Sequence, residues 1–296
     1  MTPVPSAQET AGPSGSGALA LIRRELAVSL LMRTGLFGLI LVFSTALIGP
    51  LLISHDPDTI DLSARLSGPT LRHWLGTDEL GRDILARVLS GARISLTLGV
   101  SIALISCVLG TITGCYVGLR GGWLDTVAMR AVDILLSLPG LVLAMAFTAA
   151  LGPSLTNATL ALTLITTPGL IRLARGQALM LRNEPYVEAS LLYGGSRWHV
   201  MITHVIPNAA PAIIVQTTLS VGAIILAAAA LSFLGLGAQP PTAEWGAMVA
   251  SGRNFLTIQP LYPLAPGLAI LVTAVSFNLL GDGLNDALNP RREGQL

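Results

Sequence analysis

The chain of 296 residues contains no lysine; all 17 basic residues are arginine. The phosphate-binding loop of many ATPases needs a lysine to reach the β- and γ-phosphates. That loop is excluded, and with it nucleotide hydrolysis of that kind by this chain alone. Charge of either sign is scarce, at 11% of residues, against roughly 25% in soluble domains. Most of the surface therefore does not face water. The formal net charge of +1 gives no argument for a nucleic-acid partner. Enzyme signatures are missing too: there is no HExxH, no paired-cysteine motif and no nucleophile elbow. The two cysteines, Cys107 and Cys115, lie about two helical turns apart in one apolar run. They form no local disulfide and read as small packing residues.

What is present is apolar length. Hydrophobic residues make up 52% of the chain, and mean hydropathy is +0.70. A membrane span takes about 20 such residues to cross a core of ~30 Å. Six runs qualify: 36–53, 94–119, 132–151, 155–171, 210–236 and 261–280. The expectation is an all-α, polytopic membrane protein with six transmembrane helices. Gly152-Pro153-Ser154 reads as a tight turn between the third and fourth. Pro139 and Pro168 are expected to kink those two spans. No run carries Asp, Glu, His or Arg near its centre. Asp133 sits at the inner start of the third, and Asp282 and Asp286 follow the sixth. Ion-coupled secondary transporters place such groups near the midplane, so this pattern disfavours one.

Arginine placement sets the orientation. With the N-terminus inside, inner segments hold Arg23, Arg24, Arg33, Arg120, Arg130, Arg172, Arg175, Arg182, Arg197, Arg291 and Arg292. Outer segments hold Arg65, Arg72, Arg82, Arg87, Arg93 and Arg253, and Asp56, Asp58, Asp61, Asp78, Glu79 and Asp83 offset most of these. The positive-inside rule then puts both termini in the cytoplasm. Residues 1–17, rich in Pro, Ser and Gly, read as a disordered tail, and the first run as a retained span. Residues 18–35 read equally well as an interfacial amphipathic helix or as an extension of that span.

One inner stretch, residues 173–208, breaks the apolar pattern. Asn183 can cap a helix over 184–193, with Pro185 in its first turn. Gly194-Gly195 ends it. Ser196 caps a second helix, on which Trp198, Met201, Ile202 and Val205 make one apolar stripe. Arg197, His199 and Thr203 lie on another face, and Pro207 and Asn208 are expected to stop it. The result is a helical elbow that can lie on its own bundle or in a groove of a partner.

The stretch "EASLLYGGSRWHVMITHVIP" resembles the EAA loop of type I importer permeases of ATP-binding-cassette (ABC) transporters. Glu188, Ala189, Gly194 and Pro207 match in register. Ser190 replaces an alanine, Ile206 a leucine, and His204 departs from an isoleucine. Residues 73–100, 231–249 and 264–290 are similar to the dipeptide, oligopeptide and nickel branch, so the resemblance runs from about residue 20 onward. It implies a permease domain over 36–290, between the tail at 1–17 and a short inner tail at 291–296. It implies that the elbow docks on an ATPase subunit, through Glu188, Ala189, Ser190, Gly194, Arg197, His199, His204 and Pro207. ATP and Mg would bind partner subunits, leaving no cofactor and no metal here. The implied partners are a second homologous permease, two ATPase domains, an extracytoplasmic binding protein, the lipid membrane of a bacterial inner membrane, and small peptides as cargo. Nickel or a metal chelate is the alternative cargo, although the spans contain no histidine ligand.

The outer segment 54–92 carries the remaining expectations. Thr77 or Asp78 can start a helix, Asp83 and Arg87 can pair at i, i+4, and Ile84, Leu85, Val88 and Leu89 form a stripe. Asp78, Glu79, Arg82 and Asp83 are candidate contacts for the binding protein. Gly235, Gly237 and Pro240-Pro241 end the fifth span, Trp245 suits an interfacial anchor, and Gly281, Gly283 and Pro290 break the last helix.

Overall fold

The computed structural model describes residues 26, 29–52 and 56–288. The expected tails and the start of the 18–35 segment lie outside the described residues. In chain order the helices are α1 (Leu30–Leu52), α2 (Ile84–Arg120), α3 (Gly122–Ser137), α4 (Gly140–Leu151) and α5 (Leu155–Leu181). They continue with α6 (Pro185–Leu192), α7 (Arg197–Phe233), α8 (Trp245–Gly252) and α9 (Leu261–Leu288). Among the described residues the only β pairing is an isolated bridge between Thr77 and Asp83. The all-α expectation holds. Residues 30–35 continue α1 without a break.

By length and hydropathy, α1, α2, α7 and α9 can cross a membrane, and α3 with α4 makes a fifth span bent by 90°. The bend falls where Pro139 caps α4, because proline disfavours the helical region for the residue before it. The fourth expected span lies in α5, which the same measure leaves out. Thr159, Thr163, Thr166 and Thr167 dilute its hydropathy, yet each hydroxyl donates to a carbonyl four residues back, at 2.6–2.8 Å. Those hydroxyls are satisfied inside their own helix, as an apolar surrounding requires. Pro168 is buried inside α5, which runs through it as one helix.

Helix contacts are built on small residues. Gly110, Gly114 and Gly118 recur every fourth residue on α2, so they line one face. A Cβ at these positions would come within 2.6 Å of the Leu170 Cβ, 2.8 Å of the Ala174 Cβ and 2.8 Å of the Ala178 Cβ, all on α5. Backbones that approach this closely gain dispersion contacts, the main source of helix association in lipid. Gly114→Leu should therefore wedge α2 from α5. The expected result is a several-fold drop in membrane-inserted protein on a blot, with Leu104→Ala, at an exposed site, unchanged. Next to this seam Leu96, Ile102, Leu162, Ile225 and Leu231 form the main core with Trp245 and Phe277.

Four local expectations are corrected. Helix α2 starts at Ile84 rather than at 77 or 78, because the Asp83 carboxylate accepts from the Ala86 N–H at 2.7 Å. Pro207 and Asn208 do not stop α7. A π turn at Met201–Val205 precedes them, the Ile206 N–H reaching back to the Met201 carbonyl, and the helix runs on to Phe233. Gly281 and Gly283 do not break α9. A Cβ at 283 would meet the Met32 Cβ at 2.6 Å, so this glycine permits contact with α1. Trp245 is no interfacial anchor: it is 2% exposed, and its Nε1–H donates to the Val88 carbonyl at 2.9 Å. Gly235, at φ +80°, does end α7 as expected.

Candidate functional site

The elbow begins three residues after α5. Glu184, not Asn183, is the cap residue of α6, and Pro185 takes the first helical position. At the other end the Gly195 N–H donates to the Ser190 carbonyl at 2.9 Å and the Gly194 N–H to the Leu191 carbonyl at 3.1 Å. This pair of bonds is a Schellman cap, and it places Gly194 at φ +87°. Ser196 then caps α7, its Oγ accepting from the His199 N–H at 3.1 Å. The chain turns within Gly194 to Ser196, with capping bonds on both sides.

What fixes the elbow is a small core of its own. Val187 is the one buried residue of α6. It packs with Val200, Met201, Val205 and Ala209 of α7, Ala174 and Ala178 of α5, and Cys115 and Leu119 of α2. Two aromatic contacts add to this. Trp198 meets the Tyr116 ring edge-on at 6.3 Å, and Tyr186 meets His204 at 5.9 Å. Burial pushes the Tyr186 hydroxyl above its ordinary pKa, and the Glu184 carboxylate adds to that. The expected stripe is buried at Met201 and Val205, while Trp198 and Ile202 are half exposed. The π turn shifts the register, and Val200 takes the inner position.

Of the residues singled out in sequence, Glu188, Arg197, His199 and Pro207 are exposed, and Ala189, Ser190 and His204 are half-buried. Gly194 is the hinge itself. Sequence reasoning missed Leu192 and Tyr193, which stand 86% and 93% exposed at the tip beside the hinge. Two large apolar side chains just before a helix-ending glycine were the available signal.

The cap formed by residues 56–83, at the α2 N-terminus, is organised by charge. The Asp78 carboxylate is fully buried. It accepts from the backbone N–H groups of Leu80 and Arg82 at 2.8 and 2.9 Å, and from the Arg82 Nε at 2.6 Å. Asp83 takes the His73 Nδ1 at 2.8 Å besides capping α2. The expected Asp83–Arg87 pair is not made. Arg87 instead donates to Asp58 at 2.8 Å and to the carbonyls of Pro57 and Pro241, each at 3.1 Å, and so joins three segments of the cap. Asp78, Arg82 and Asp83 are thus occupied inside the cap, and Glu79 is half-buried. Of the large apolar side chains exposed here, Leu71 and Trp74 project furthest, at 98% and 71%, ahead of Leu62 and Ile60. Nearby, the hydroxyl and N–H of Ser63 hold the Asp61 carboxyl below its ordinary pKa.

A bent elbow with a core of its own thus sits against the apolar bundle. Residues 110–294 match the family of binding-protein-dependent transport system inner membrane components. The chain belongs to this family. The matched part of this permease runs from the Gly110 seam through the bent span, the elbow and α9. It is 50% identical to the probable D,D-dipeptide transport system permease protein DdpC of Escherichia coli, over 87% of this chain and 86% of the relative. It is 42% identical to the dipeptide transport system permease protein DppC of Alkalihalophilus pseudofirmus, over 88% and 86%. It is 40% identical to the glutathione transport system permease protein GsiD of Pectobacterium atrosepticum, over 91% and 89%. The chain is a multi-pass permease subunit of an ABC importer, and not an enzyme.

Proposed function

We propose that this permease imports small peptides, that it forms half of the pathway beside a homologous permease, and that its elbow receives the stroke of an ATPase subunit. The observation that carries the coupling reading is the Schellman-bent elbow, held to α2 and α5 by its own core while Glu188, Leu192 and Tyr193 stay exposed. The relatives named for dipeptides and glutathione support the cargo class over nickel. In this reading α5 crosses as a sixth span and both termini lie inside. The outer cap meets the binding protein, with Asp78, Glu79, Arg82 and Asp83 shaping the surface and Leu71 and Trp74 projecting from it. ATP and Mg act on the partner subunits. ATP binding draws the two elbows together, and the spans exchange an inward-open for an outward-open arrangement, the difference in stability setting the direction.

The test is a cargo competition with a built-in check on docking. Uptake of a labelled dipeptide should appear when the chain is expressed with its partners, and should be blocked by excess unlabelled dipeptide but not by nickel. Glu188→Arg should reduce co-purification of the ATPase, because reversing an exposed charge at a docking surface opposes encounter and register. Nickel uptake without dipeptide uptake would replace the cargo. Full co-purification of the Glu188→Arg variant would remove that residue from the contact.

A further inference from the structure

We propose that Asp125 and Arg175 are a positioning pair that ties the bent span to the inner end of α5, so that elbow motion reaches the membrane pathway as one displacement. This rests on the coupling reading above and extends it to residues outside the elbow.

Helix α3 has little packing to hold it. Val132 is its one buried residue, and Trp123, Val127 and Ile134 are exposed. Charge ties it down instead. The Asp125 oxygens meet the Arg175 Nε at 2.5 Å and Nη2 at 2.6 Å, with side chains 15% and 28% exposed. This two-point fork fixes orientation as well as distance, which a lysine could not do. A second pair, Asp133–Arg172 at 2.6 Å, is about half exposed on both sides and is weakened by water. Arg172 and Arg175 share one turn of α5, whereas Asp125 and Asp133 are about two turns apart on α3. The two arginines therefore fan out from a single point to hold a length of α3.

That point is also where α5 grips the elbow. Ala174 and Ala178 lie on either side of Arg175 in the chain and are buried against Val187, Val200, Met201 and Val205. Gly118 of α2 closes in on the same turn, since a Cβ there would sit 3.0 Å from the Arg175 carbonyl oxygen. At its far end α3 turns by 90° into α4, whose Ala144 and Thr148 are buried. A push on the elbow thus moves the inner end of α5, passes through the fork to α3, and enters the bundle through α4. Because α3 has so little packing, loss of the fork leaves it free to lag behind.

The experiment uses the whole transporter in vesicles, with uptake and ATP hydrolysis measured per assembled complex. Asp125→Asn keeps the side-chain volume, and Arg175→Lys keeps the charge without the fork. Each should lower dipeptide uptake per ATP hydrolysed by about fivefold or more, the lower end of typical coupling effects. The charge exchange D125R/R175D should recover at least about half of the loss, as a direct interaction between the two residues requires, and the ratio per assembled complex is a quantity that a merely structural role, which lowers assembly, would not move. A parental ratio in Asp125→Asn and Arg175→Lys overturns the proposal, and so does an exchange variant as uncoupled as the single ones. If Asp125→Asn lowers the yield, Arg175→Lys is read in its place. Uncoupling by Gly194→Val beside normal Asp125→Asn removes this pair alone, whereas a fully coupled Gly194→Val removes the elbow reading beneath it.

Discussion

Replacing Gly194 by valine should leave the permease in the membrane but abolish stimulation of ATP hydrolysis by the loaded binding protein. Gly194 sits at φ +87° with no atom within 4 Å of where a Cβ would stand. The obstacle is therefore backbone strain and not a clash. A β-branched residue is a genuine outlier at this φ, and holding it there costs about 1–3 kcal/mol. The chain can relieve that strain by giving up the two capping bonds to Ser190 and Leu191, which straightens the turn and moves α6 out of register. Asparagine tolerates the left-handed region better than other non-glycine residues, so Gly194→Asn should keep most of the stimulation. Gly195→Ala should fail for a different reason, because its Cβ would lie 2.6 Å from the Ser190 carbonyl oxygen. A purified Gly194→Val complex with parental stimulated ATPase activity would show that the hinge angle does not matter.

Arg87→Ala should have the larger effect on stability. Arg87 is 4% exposed and its guanidinium serves Asp58, Pro57 and Pro241 at once, with the Asp78 carboxylate 3.7 Å away. Removing it leaves the fully buried Asp78 carboxylate to Arg82 and two backbone N–H groups. Losing hydrogen bonds made by a charged group costs about 1.5–3 kcal/mol. The cap should then open while the bundle beside it persists. Limited proteolysis of the purified protein should cut the variant within 56–83 under conditions that leave the parent intact. Equal protease resistance would mean that the cap is held by other contacts.

The sequence made the apolar spans and the elbow legible because each is a local pattern. Helix length in lipid is read from composition, and the hinge from a glycine pair between two capped helices. Gly194 and Ser196 take the positions their chemistry dictates. The errors came where a distant contact decided the outcome. Pro207 looks like a stop, but the five-residue π turn at Met201–Val205 precedes it and the helix runs on. Gly283 looks like a breaker, and is a seat for Met32. Asp83 and Arg87 have ideal helical spacing, yet His73 and Asp58 claim them from other segments. Trp245 looks amphipathic, and only the Val88 carbonyl shows why it is inside. The seam of Gly110, Gly114 and Gly118 was visible as a spacing, but nothing in one sequence says which helix faces it.

The central claim is that the chain supplies a pathway and a lever but no energy, and the most direct measurement is uptake into sealed vesicles of defined composition. Vesicles holding the complete transporter, with ATP on the elbow side and the binding protein on the other, should accumulate labelled dipeptide above the outside concentration. Vesicles holding this chain alone, or the complete transporter without ATP, should not. Accumulation against a gradient by the chain alone would contradict the account.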